Sequence, residues 1–279
     1  MDTIRDTFFE GERPLFALTS TILQNIKFYP GESAMKKGHN LQAINCQFMG
    51  KYPFWHNTQL NIEACYFPTY GRAAIWYCND VFMQNSKVEA PKMFRSVEGL
   101  NVKDSEFTDA GEFVWNCRNV RLDNVTFKNA DYIFMNNKDM NISKMVLQGN
   151  YSFQDATDVV IRDSVINSKD AFWNTRNVTV YDSEISGEYL GWYSENLKLV
   201  NCRISGSQPL CYATNLVLEN CSMIDTDLSF EDSTVNATVT TAIDSVKNPM
   251  GGIIRAPHIR QVIYDEHCIN PGSCEIIIE

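Results

Sequence analysis

Residues 177–195, NVTVYDSEISGEYLGWYSE, and residues 196–214, NLKLVNCRISGSQPLCYAT, align without a gap. Each opens on Asn, runs through alternating apolar residues, breaks at a polar pair and reaches Ile-Ser-Gly at the same offset. Apolar alternation is strand periodicity. The breaks come too soon for a helix, whose cooperative length is longer than such runs.

The same register extends in both directions. Taking the apolar residue after the Asn as column zero gives Leu41, Leu60, Val81, Leu100, Val120, Met140, Val159, Val178, Leu197, Leu216 and Val235. The intervals are 19, 21, 19, 20 and 20, then 19 throughout. A second apolar column two residues on runs from Ala43 to Ala237, and a third, seven on, from Phe48 to Ala242. Asn, Asp, Gln or Gly precedes column zero, as at Asn40, Gln59, Asp80 and Gly99, and a second polar column follows it, as at Asn45, Asn85 and Asp104. Such residues tolerate the left-handed backbone of sharp bends. Each unit is therefore several short strands joined by tight bends.

An all-strand repeat of this length builds a β-solenoid, each coil burying a face of its neighbour. The spacing of leucine-rich repeats and the strict hexapeptide period are both missing, and parallel crossovers are right-handed. The expected fold is all-β, a right-handed single-stranded parallel β-helix of about 11 coils of 19–21 residues. With no linker or composition shift, residues 1–279 read as one domain. Its parts are a cap and weak first coil at 1–39, regular coils at 40–242 and irregular closing coils at 243–279. In the first part Thr21, Leu23, Ile26 and Phe28 echo Leu41, Ala43, Cys46 and Phe48.

The Asn-apolar-x-apolar coils, the opening Glu10-Gly-Glu-Arg-Pro-Leu-Phe and the segment Ser245-Val-Lys-Asn-Pro resemble those of an uncharacterised bacterial family of single-domain proteins with the pectin-lyase-like right-handed β-helix. The resemblance spans nearly the whole chain. It implies a fold and carries no settled activity.

Composition narrows the partners. The chain is 44% apolar and 21% charged, with a net charge of −10 and a pI near 4.9. An acidic surface is wrong for nucleic acid, whose binding depends on cations displacing counterions, and for a polyanion not bridged by a cation. No basic stretch followed by an apolar segment opens the chain, so a cytoplasmic location is expected if it starts at its natural residue. No apolar run approaches the length of a membrane helix. The nine cysteines include no Cys-x-x-Cys, and reduced thiols are expected. The histidines lack metal-ligand spacing, and no metal or cofactor is expected.

Candidate chemistry lies late in each coil. An aromatic column reads Trp55, Trp76, Phe94, Trp115, Phe134, Phe153, Trp173, Trp192 and Phe230. Read as an internal ladder, it leaves the next residues outside as a candidate ligand strip: His56, Tyr77, Arg95 and Asn116, with Tyr193, Tyr212 and Glu231 further on. Glu112 and Asp131 lie 19 residues apart, so one column could hold two carboxylates about 5 Å apart, the separation used by retaining glycosidases. They and Arg95, as a stabiliser of a carbanion, are the candidate catalytic residues of a polysaccharide lyase or glycoside hydrolase. Asp163 and Asp182 make a similar pair, read as bend residues. The leading expectation is a carbohydrate-related β-helix that binds or processes an oligo- or polysaccharide along its long face. The alternative is a non-catalytic scaffold, assembling with itself or another protein through the strand face or the final strand EIIIE.

Overall fold

The computed structural model describes residues 1–279, all of it strand, bend and turn with no helix. The chain falls into two compact units, Met1–Val146 and Leu147–Glu279. Both are right-handed parallel β-solenoid, with about 15 turns in all.

The apolar columns are the register of the ladders. In the first unit Leu41 pairs with Leu60, Leu60 with Val81, Val81 with Leu100 and Leu100 with Val120. In the second, Val159 pairs with Val178, and Val178 with Leu197. All these residues are buried. The third column stacks Phe28 on Phe48 and Phe48 on Phe67, at 5.0 and 4.7 Å between ring centroids. Each fully buried ring or aliphatic chain contributes about 1.5–3 kcal/mol of transfer free energy.

Each coil has four corners where the backbone turns through left-handed φ. One coil turns at Asn40, Asn45, Tyr52 and His56, the next at Gln59, Ala64, Ala73 and Tyr77. The first two corners of each coil are the polar columns visible in the sequence. The third falls mostly on residues that no turn propensity marks, such as Tyr52, Ala73, Lys92, Glu112 and Tyr132, while the fourth mixes His56, Tyr77 and Tyr193 with Ser96, Asn116, Asn136, Asp155 and Asn174. A side chain in this conformation costs about 1–2 kcal/mol. Stacked amides offset part of that. Asn45 Nδ2 donates to Asn25 Oδ1 and Asn25 Nδ2 to Asp6 Oδ1, each at 2.8 Å. In the second unit, Asn215 donates to Asn196, Asn196 to Asn177 and Asn177 to Asp158. Asp163 and Asp182 are corners of this kind, and Asp182 accepts from Asn201 at 2.9 Å.

The glycine of the repeated Ile-Ser-Gly answers to crowding between coils. Gly187 and Gly206 have φ of 145° and 124°, and a Cβ on Gly206 would sit 2.0 Å from the Gly187 carbonyl oxygen. Only glycine fits both the torsion and the approach.

The ends depart from the template in two ways. Two regular coils precede Leu41 rather than one with a cap, since Asp2–Arg5 pairs with Thr19–Gln24 and Phe8–Glu12 with Lys27–Glu32. Near the other end a bulge between Leu218 and Cys221 shifts the register. The third column then ends at Met223: Ala242 is exposed, and Ile243 turns inward.

The stacked cysteines are free and buried. Cys46 N donates to Cys65 Sγ at 3.4 Å, and burial pushes the thiols of Cys78, Cys117 and Cys211 up to about 12. They pack the interior.

Candidate functional site

The aromatic column is two columns. Phe94 pairs with Ile75, and Arg95 with Trp76 on one side and Trp115 on the other. Phe54, Phe94, Phe134 and Phe153 therefore face the interior and are fully buried, whereas Trp55, Trp76 and Trp115 face outward and are half-buried. The expected internal tryptophan ladder is corrected to an external one. Arg95 belongs within it and not to the strip beside it.

In the first unit this outward column is a continuous stack. Lys36 Nζ lies 5.5 Å from the Trp55 ring centre, and Trp55 stacks on Trp76 at 5.1 Å with 9° between planes. The Arg95 guanidinium is held between Trp76 and Trp115, at 4.4 and 4.6 Å. Indole Nε1 donors of Trp55, Trp76 and Trp115 reach the backbone carbonyls of Ala73, Lys92 and Tyr132 on the next coil. With ring faces on one another and on Arg95, the stack shows water its edges, the positive part of the ring quadrupole.

The predicted strip beside it is a row of corners. His56 stacks on Tyr77 at 5.1 Å, and Asn116 accepts from Asn136 at 2.8 Å. Glu112 and Asp131 lie on successive coils, one residue out of register. Glu112 is level with Tyr132, both being left-handed corners, and its backbone N–H bonds the Asp131 carbonyl at 2.9 Å. The Glu112 carboxylate is engaged by Lys92 at 2.9 Å and Arg95 at 3.5 Å.

Beside this face lies a groove of about 550 Å³ that no motif announced, lined by Pro30, Gly31, Met49, Gly50, Lys51, Thr69, Tyr70, Arg72 and Pro91. Its one sequence signal is the 21-residue interval between Leu60 and Val81, the longest in the repeat. That coil turns out at Thr69 and Tyr70, leaving Tyr70 78% exposed. Glycine is required at Gly31 in its lining, because a Cβ there would meet the Gly11 carbonyl oxygen of the preceding coil at 2.0 Å. Lys51 pairs with Glu32 at 2.9 Å and lies over the Tyr52 ring, which packs on Trp55 at 4.6 Å. Groove and tryptophan stack thus join around the Tyr52 corner.

In the second unit Tyr193 and Tyr212 lie 5.4 Å apart, but Glu231 is a buried member of a separate polar cluster. Its carboxylate takes Lys247 at 2.7 Å and the Gln208 amide, and Lys247 also reaches Asp265 at 3.3 Å. Burial pushes the Asp232 carboxyl above its ordinary range, with the Glu231 charge adding to it. Asp265 is held low by the Asn248 amide, the His267 N–H and Lys247. The cluster ties the Lys247-Asn248 turn to the chain beyond it.

Residues 2–277 match the family described as "Protein of unknown function (DUF3737)". No curated protein matches the sequence. Among solved structures the chain is similar to PfbA, a surface adhesin of Streptococcus pneumoniae, at 12% identity and a TM-score of 0.46, covering 94% of this chain and 83% of that one. It is similar to HetL, a pentapeptide repeat protein of Nostoc sp., at 9% identity and a TM-score of 0.28, with 80% and 89% covered. A tailspike protein of E. coli bacteriophage HK620 in complex with pentasaccharide is similar at 8% identity and a TM-score of 0.34, with 94% and 60% covered.

Proposed function

We propose a saccharide-binding role for this chain, which belongs to the DUF3737 family of proteins of unknown function. The ligand is an extended oligosaccharide lying in the groove of the first unit, bound without cleavage. The observation that carries this reading is Tyr70, whose ring stands 78% exposed on the wall of a concave site that also holds Met49, Lys51 and Arg72. A sugar ring presents an apolar C–H face and a polar rim. It calls for a free aromatic face with a few donors around it. Trp55 and Trp76 cannot supply that face, because Lys36, Arg95 and each other's rings occupy theirs. Binding is favoured over hydrolysis by a carboxylate pair because Lys92 and Arg95 engage Glu112, and the residue level with it is Tyr132.

Thermal-shift screening against a broad panel of oligosaccharides tests the role. A ligand at 100 times its dissociation constant adds about 2.7 kcal/mol and raises the midpoint by several degrees. The shift is expected to vanish in Tyr70→Ala, whose own midpoint should match wild type. A panel without a shift, or a shift that survives in Tyr70→Ala, contradicts the site.

A further inference from the structure

We infer that the saccharide held in this groove is anionic, carrying carboxylate groups along its length; the inference rests on the saccharide-binding reading. It starts from how charge is distributed. The chain as a whole has a net charge of −10. Yet the segments that form the groove wall, the corner and the tryptophan face, residues 30–37, 50–56, 71–77, 91–96 and 111–116, hold Lys36, Lys37, Lys51, Arg72, Lys92 and Arg95 against only Glu32 and Glu112. Both carboxylates are already in ion pairs, Glu32 with Lys51 and Glu112 with Lys92 and Arg95. Arg72 is exposed at the groove and has no carboxylate partner, and no acid lines the groove at all.

The adjoining stack adds to the same field. Its tryptophan edges are electropositive, and Lys36 and Arg95 bring full charges into it. A neutral sugar would need Tyr70 and a few hydrogen bonds, and nothing in that chemistry gathers six cations on one face of an acidic protein. A carboxylated sugar does need them. The free guanidinium of Arg72 offers a planar fork for one carboxylate. Lys51, level with Arg72 on the coil before, stands about 5 Å from it along the axis and offers a point charge to a neighbouring carboxylate, while Lys92 lies one residue further along, at the corner of the coil after. The acidic surface elsewhere repels the same ligand, which confines it to this face.

Calorimetric titration compares a panel of hexuronic-acid oligosaccharides with their carboxyl-reduced neutral counterparts, at about 50 and 200 mM salt. The acidic form is expected to bind about ten-fold more tightly at low salt, the scale of one charge-assisted hydrogen bond. That advantage should shrink at high salt and disappear in Arg72→Gln, whose fold is checked by circular dichroism. Equal affinity for the two forms, or an acidic preference retained in Arg72→Gln, overturns the inference and leaves neutral saccharide binding standing. Binding of neither form overturns the saccharide reading and the inference together.

Discussion

Asp170 is a corner residue with φ of 50°, only 3% exposed, and its Oδ1 has no hydrogen-bond partner. Desolvation pushes its carboxyl above the ordinary range, against a smaller opposing effect of Lys169. An acid whose folded-state pKa is raised stabilises the fold when protonated. That contribution is complete below the unfolded value near 3.9 and is lost as pH rises through the raised folded value. Asn copies the protonated shape and accepts the same left-handed torsion. Asp170→Asn is therefore expected to raise the thermal midpoint at pH 7.5, with the gain closing as pH falls toward 4. Equal midpoints for the two proteins across that range would show that the buried carboxyl costs nothing.

At the scale of the coil face, Arg95 is the residue on which the tryptophan stack depends. Its Nε is buried without a partner, so its place is held by the two indole faces and by Glu112. Arg95→Ala is expected to cost about 2 kcal/mol, a midpoint loss of roughly 4–8 °C, while Arg95→Lys keeps the charge, loses the planar stacking and falls between. Wild-type stability in Arg95→Lys would mean that packing on the rings contributes little. This column also shows what was legible in the sequence. The strand columns and the first two corners were readable because alternation and Asn or Asp mark them. The tryptophan face was misread because Phe94 was taken for its aromatic identity. The intervals of column zero applied to Trp55 lead through Trp76 to Arg95 and Trp115, the observed order. The third corner left little such trace, since its left-handed torsion falls mostly on Tyr, Lys, Glu and Ala, and the fourth left a broken one, with Asn116, Asn136, Asp155 and Asn174 between His56 and Tyr77 on one side and Tyr193 and Tyr212 on the other.

For the whole molecule, net charge averages over faces of different sign. A charge of −10 argues against an anionic ligand, and the proposal of one rests on Lys36, Lys37, Lys51, Arg72, Lys92 and Arg95 around a groove that only the 21-residue coil hinted at. No averaged composition could reveal that, because the groove is assembled from residues on four successive coils. The same assembly gives the account its most direct test, hydroxyl-radical footprinting with mass spectrometry on protein saturated with the tightest-binding saccharide of the panel. Tyr70 and Met49 should lose reactivity on binding, while Tyr193 and Tyr264 in the second unit, 54% and 42% exposed, keep theirs. Unchanged labelling of Tyr70, with protection at the second-unit tyrosines instead, would contradict the assignment of the site.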